Sequence, residues 1–204
     1  MEKKIITISR EFGSGGRTIG HLVAEKLGIP FYDKDLVDHI ALESGFAKNY
    51  IEEHGEHSPG NSIFAYAFTH QGVPNMMHGM STADFLWNVQ CNVILQLVEQ
   101  GPCVIVGRNA DYILKDREDC LHTFIHADKQ FRADRIVRLY GESEKSPNAR
   151  LQEKDKRRRV NYHHYTGRTW GASHNYDICL NSSTIGVERC ADIIVSLVEQ
   201  SKQA

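Results

Sequence analysis

Residues 9–20 read SREFGSGGRTIG and follow the apolar run Ile5, Ile6, Thr7, Ile8. Glycines at 13, 15, 16 and 20, with Ser14 and Thr18 among them, describe a loop whose backbone can turn its N–H groups inward onto phosphate oxygens. The common phosphate loop, G-x-x-x-x-G-K-[ST], adds a lysine that reaches the outer phosphates. No lysine stands in this stretch. The segment therefore predicts a strand, an anion-holding turn and a helix start, and it leaves open which group supplies the missing positive charge.

Outward from the loop, apolar runs of strand length alternate with runs of helical period. KIITIS, IPFYD, CVIVG, LHTFIHA and YDICLNSS have strand character. TIGHLVAEKLG, residues 34–44, TADFLWNVQCNVILQLVEQG, DKQFRADRIVRLYG and GVERCADIIVSLVEQ have helical character. Such alternation predicts a parallel α/β sheet. In the first helix Ile19, Leu22, Val23 and Leu27 share one face, and Gly28 stands where a left-handed cap belongs. CVIVG and TFIHA are nearly unbroken apolar runs, as strands covered on both faces require. Right-handed crossovers then put the C-terminal ends of the strands on one edge, where ligands bind. Two stretches break the rhythm. Residues 45–81 are mixed in polarity and rich in Gly, His and aromatics, and residues 142–171 are highly charged, with Arg157, Arg158, Arg159 and Arg168 among aromatics. Long excursions at a ligand edge act as lids or binding flaps.

Composition narrows the partners. A chain of 204 residues with 24 Lys and Arg against 26 Asp and Glu carries a formal charge of −2, so no overall basic field attracts nucleic acid, and any anion site is local. One domain is expected over residues 1–204. No run of about 18 apolar residues and no secretory leader is visible, so a soluble, cytoplasmic protein without a membrane segment is expected. The five cysteines are scattered without C-x-x-C spacing, which reads as buried free thiols. Pairs such as His54/His57 and His122/His126 lack further ligands at metal spacing, so no structural metal is expected. Phe64, Tyr66, Phe68 and the methionines of NMMHGM fit an exposed apolar patch that can join copies of the chain into a homo-oligomer.

Four linked segments carry a resemblance: SREFGSGGRTIGHLVAEKLGIPFYDKDL, VIVGRNADYIL, FIHADKQFRADRI, and RRVNYHHYTGRTWG followed by NYDICLNSS. In this order they resemble the cytidylate kinase-like family of P-loop nucleoside monophosphate kinases, nearly end to end. The resemblance implies a P-loop NTPase-type three-layer sandwich with a five-stranded parallel sheet, an acceptor-binding insertion at about 34–88 and an Arg-rich lid at about 142–171. It also implies ATP and Mg²⁺, and transfer of phosphate to CMP or dCMP. A typical family loop, GPSGSGKSTVAKLLAEKLG, aligns without a gap; Arg10 then takes the place of the first Gly, Gly16 that of the Lys, Arg17 that of the Ser/Thr, and Thr18 follows. Gly13, Ser14, Gly15, Gly16, Arg17 and Thr18 would still present N–H groups at a helix N-terminus, and Arg10 and Arg17 can add bidentate contacts. Of the two, Arg17 is expected to replace the lysine.

The resemblance extends to single residues, with departures. Asp33 matches the Asp of the family's DSG station, but Lys34 replaces the Ser and His39 stands where an Arg is expected. Asp33 with Asp35 also resembles the Asp-x-Asp of shikimate kinases, whose acceptor is not a nucleotide; alternatively either caps a helix. GRN replaces the family's GRD, with Arg108 implied to grip the acceptor phosphate, or else to pair with Asp111, and Asn109 to read a base or cap the next helix. Arg132 and Arg135, three apart on one helix, would face the crevice or solvent. In the lid, Arg158 shares neighbouring faces with Tyr162 and with Tyr165 or His163, and would reach the migrating phosphoryl group on closure. The expected catalytic set is Arg17, Arg158, Arg108 and Asp33; the acceptor set is Asp33, Asp35, Arg108, Asn109 and Arg132; Thr18 and Asp33 would hold the metal. A non-catalytic nucleotide-binding regulator and a kinase of a non-nucleotide small molecule remain the alternatives.

Overall fold

Strand β1 (Ile5–Arg10) occupies the middle of a five-stranded sheet in the computed structural model, which describes residues 2–33 and 82–202. The chain continues through α1 (Gly16–Leu27), β2 (Phe31–Tyr32), α2 (Thr82–Glu99), β3 (Cys103–Val106) and α3 (Ala110–Ile113). It then forms β4 (Cys120–His126), α4 (Lys129–Tyr140), α5 (Pro147–Thr166), β5 (Ile178–Asn181), α6 (Ser182–Ile185) and α7 (Val187–Ser201). All strand pairs are parallel, in the order β2-β3-β1-β4-β5. The predicted helix at 34–44, the segment 45–81, and the positions Asp35, His39, His54, His57, Phe64, Tyr66 and Phe68 lie outside the described residues.

Burial on both faces explains the apolar strands. Ile6 and Ile8 point to α1 and α7, packing with Ile19, Val23, Cys190, Ala191 and Ile194. Ile5 points the other way, toward Val93, Ile94, Leu97 and Val98 of α2. Each fully buried aliphatic side chain stabilises the fold by about 1.5–3 kcal/mol relative to exposure. Helix α1 ends at Gly28 (φ 66°), whose N–H bonds the carbonyls of Ala24 and Glu25, the left-handed cap its sequence predicts. All five cysteines are free, and Cys103, Cys120 and Cys190 are buried. Among the described residues no helix is long and apolar enough to cross a membrane.

The order of strands positions the site. From β1 the chain passes to β2 beyond β3, and from β3 it crosses to β4 on the other side of β1, so a crevice opens at the C-terminal end of β1. Residues 11–15 and the turn at 107–109 both emerge there. Most of the charged stretch 142–171 forms one long helix, α5, started by Ser146, whose hydroxyl accepts from the Ala149 N–H, and by Pro147 in the first turn. Its buried residues are Leu151, Asp155, Asn161 and Tyr162, so the face turned to the body is largely polar. Leu151 joins Ala133 and Ile136 of α4 and Phe12 of the loop in a small separate core.

Candidate active site

Gly15 caps α1 in the left-handed conformation (φ 84°), and the first intrahelical bond runs from the Ile19 N–H to the Gly15 carbonyl at 2.9 Å. The N–H groups of residues 15–18 precede that bond and carry the positive end of the helix dipole. The loop before them is fixed from outside. Ser14 donates its hydroxyl to the Glu11 carbonyl (2.9 Å), and Ser182 donates to the Ser14 carbonyl (2.5 Å). A β-carbon on Gly13 would come within 2.8 Å of the Arg132 carbonyl, so the loop lies directly on α4. A cavity of about 360 Å³ opens over these groups, with Phe12, Leu139 and Tyr140 on its apolar side.

The expected site residues fall into distinct environments. Arg17 is 59% exposed in its side chain and its Nε pairs with Asp33 at 2.7 Å. Asp33 also faces Arg10 Nη2 at 3.7 Å, so one carboxylate lies between two guanidiniums. Arg132 is buried behind the loop: Nη1 donates to Asp155 (2.6 Å) and to the Phe12 carbonyl (3.2 Å), and Nε lies 3.4 Å from Glu11. Arg135, one turn along α4, has a different environment. Its Nη2 donates to Thr18 Oγ1 (2.8 Å), it borders the cavity, and it forms no ion pair with a described carboxylate. Burial pushes its pKa below the usual arginine value. Arg158 donates Nη1 to the Arg10 carbonyl (3.0 Å), lies over the Phe12 ring and borders the same cavity.

Across the crevice the turn after β3 is unusual. Gly107, Arg108 and Asn109 have φ of 78°, 58° and 53°, three consecutive left-handed residues, of which the latter two carry side chains. Such a conformation costs a non-glycine residue roughly 1–2 kcal/mol. Gln90 of α2 holds the turn by donating to the Arg108 carbonyl (2.8 Å), and Asn109 Nδ2 donates to Asn161 Oδ1 of α5 (3.0 Å). Asn109 occupies the cap position of α3 without a side-chain capping bond, and Arg108 forms no ion pair with Asp111. Asp111 instead accepts hydroxyl bonds from Ser9 (3.0 Å) and Tyr162 (2.7 Å) in a fully buried position, and burial raises its pKa despite those two donors. A second, smaller cavity of about 30 Å³ lies between β1, this turn and α5.

Helix α5 joins the two sides. Asp155 accepts from the Phe12 N–H (2.7 Å) and from Arg132, so it fixes the loop, while Asn161 and Tyr162 fix the turn. Near its end Tyr165 stacks on Trp87 (4.4 Å) and donates to the Ala83 carbonyl (3.0 Å), tying it to the start of α2. Asp155, Glu11, Gln90 and Asn161 escape sequence reasoning, because single polar residues in charged or amphipathic runs carry no periodic signal. Among the described residues no group of three His, Cys, Asp or Glu side chains could hold a metal ion.

This geometry agrees with relatedness seen along the sequence. The model of the cytidylate kinase-like family matches residues 5–184. The chain belongs to that family. A cytidylate kinase from Archaeoglobus fulgidus is 25% identical over 201 residues, 97% of this chain and 96% of the relative. Among solved structures, an uncharacterized protein from Eubacterium ventriosum superposes with a TM-score of 0.71 at 28% identity, covering 97% of this chain and 99% of that one. The shikimate kinase from Acinetobacter baumannii, in complex with shikimate, gives a TM-score of 0.56 at 15% identity, with 99% and 96% coverage; this likeness shows the shared P-loop kinase fold. Membership of this kinase-like family supports ATP-dependent phosphoryl transfer.

Proposed function

We propose that the protein transfers the γ-phosphoryl group of ATP to a small anionic acceptor, with a nucleoside monophosphate of the CMP or dCMP type as the first candidate. One observation carries this reading: the large cavity over the loop and the small cavity at the 107–109 turn adjoin, and Arg10 and Arg158 border both. The donor's β- and γ-phosphates fit the side where the N–H groups of residues 15–18 and Arg135 converge. The acceptor fits the side of Arg108, Asn109 and Asn161. An oxygen of the acceptor phosphate then forms the bond to the γ-phosphorus while the bond to the bridging β-oxygen breaks and ADP leaves. A phosphate acceptor is largely deprotonated at neutral pH, so no general base is needed. Such a reaction depends on alignment and on neutralising charge rather than on covalent chemistry by the protein, which is what converging guanidiniums supply.

The two residues expected to hold Mg²⁺ are both engaged by arginines, Thr18 by Arg135 and Asp33 by Arg17 and Arg10. A donor set flanked by guanidiniums does not fit a protein-held cation. Mg²⁺ therefore enters with the nucleotide, as part of the MgATP substrate. The test is to incubate the protein with MgATP and a panel of nucleoside monophosphates plus shikimate, and to follow ADP. ADP formation with CMP or dCMP is expected. Turnover with shikimate alone overturns the acceptor, and tight ATP binding without turnover across the panel selects the non-catalytic regulator instead.

A further inference from the structure

The missing lysine and the glycine at its position have one cause. Gly16 stands where the family loop carries its lysine, inside the first turn of α1 with ordinary helical geometry, so no backbone requirement explains a glycine there. Space explains it. A β-carbon on Gly16 would lie 2.5 Å from Cβ and 2.8 Å from Cγ of Arg10, closer than real atoms approach. The far end of the same side chain reaches Gly107, whose φ of 78° already calls for glycine. Arg10 thus runs from the end of β1, past a notch at Gly16, to the backbone at Gly107. Its side chain is 14% exposed. Arg10 lines both the donor-side and the acceptor-side cavity, as does Arg158, which is bonded to the Arg10 carbonyl. Arg17, preferred from the sequence, is mostly exposed and pairs with Asp33, which also faces Arg10.

We infer that Arg10 is the phosphate-contacting cation that replaces the lysine, delivered from the strand side rather than from the helix, and that Gly16 is a glycine because the Arg10 side chain passes there. This rests on the phosphoryl-transfer reading. A bidentate guanidinium at the junction of the two cavities would meet the oxygens of the migrating group, where a donor aimed at developing charge acts on kcat. In this conformation a side chain at position 16 and Arg10 compete for one volume.

The test has an activity arm and a packing arm. R10Q keeps the length and removes the charge; it is expected to lower kcat at least about a hundredfold with MgATP and the accepted acceptor, with a smaller change in KM. R17A is expected to lower kcat less than R10Q does; an equal or larger loss in R17A returns the lysine's role to Arg17 and overturns the inference. G16K alone should be inactive, and R10G/G16K, which clears the volume and restores the lysine, should regain at least about tenfold over R10Q. Wild-type kcat in R10Q overturns the inference. In the packing arm, G16A should lower the melting temperature in the wild-type background but not in R10G; equal effects in both backgrounds overturn the notch. If the wild type forms no ADP with any acceptor, the functional reading fails, and pyrophosphate binding by calorimetry decides Arg10 by itself. A loss of about tenfold or more in R10Q then sustains its phosphate role, and unchanged binding removes it.

Discussion

The loop at residues 11–15 and the turn at residues 107–109 both cross the C-terminal edge of the sheet, and both use left-handed backbone, but in opposite ways. In the loop the left-handed positions are Gly13 (φ 82°) and Gly15 (φ 84°), where they cost little, and the ligand-facing groups are backbone N–H groups. In the turn Gly107 is followed by Arg108 and Asn109, which hold the same region of φ with full side chains. Strain kept at a site points to side chains needed there. The supports differ accordingly: a buried carboxylate, Asp155, holds the loop, whereas neutral amides of Gln90 and Asn161 hold the turn. One wall of the crevice is backbone geometry backed by charge; the other is side-chain presentation backed by amides.

The comparison breaks most directly at Asp155. Its side chain is 8% exposed and accepts from the Phe12 N–H and from Arg132. In D155A a buried guanidinium and a backbone donor lose their acceptor together, and removing one partner of a buried pair costs about 3–5 kcal/mol. Chemical denaturation should show that loss. A loss below about 1 kcal/mol would mean that the loop is held by its own turns and by Ser182 rather than by α5.

The turn offers the opposite experiment. R108G removes a side chain from a position with φ 58° while keeping the bond from Gln90 to the backbone carbonyl. Relief of left-handed strain should leave stability unchanged or raise it by up to about 1 kcal/mol, after the entropy that glycine adds to the unfolded chain. Activity with the accepted acceptor should nevertheless fall at least about tenfold, with kcat/KM as the readout. A variant both less stable and fully active would show that the strained turn serves packing, and the contrast with the loop would fail.

How much of this was legible follows from what each region is made of. The glycines of 13–16, the apolar alternation of β1 and the cap at Gly28 are local signals, and the loop, the sheet and α1 appear where those signals place them. The role of Arg10 was not legible: Gly16 and Gly107 are 91 positions apart, and only the parallel pairing of β1 with β3 brings both beside one side chain. Helix α5 was hidden for another reason. The face it buries includes Asp155, Asn161 and Tyr162, so apolar periodicity, the usual sign of a packed helix, is weak in it. Arg132 and Arg135, three residues apart, were read together. The structure separates them, one behind the loop on Asp155 and one beside Thr18.

A third region calibrates the first two, because it lies within the sheet, away from both loop and turn. His122 of β4 is paired in register with Thr7 of β1 and bonds Thr7 Oγ1 through Nδ1 at 2.8 Å, while its Nε2 is buried without a partner. Burial lowers its pKa below the ordinary 6.5, against a weaker pull upward from Asp177 and Asp111 and with a small contribution from Lys3 and Arg168. The folded state therefore binds fewer protons than the unfolded state in the window below pH 6.5. The stability from His122 is fully present above that value and is lost as pH falls through the lowered one, with a slope of at most about 1.4 kcal/mol per pH unit for one proton. Asp111, whose pKa is raised by burial, acts with the opposite sign, so stability from its retained proton is lost as pH rises above the ordinary carboxylate value. Comparing wild type with H122Q by denaturation at several pH values between 4 and 7.5 separates the two, since only the His122 limb is missing from the variant. The curve of H122Q should be flatter on acidification. Parallel curves would mean that His122 is reached by water and proton in the folded state, and that the sheet beneath the crevice opens more readily than its packing implies.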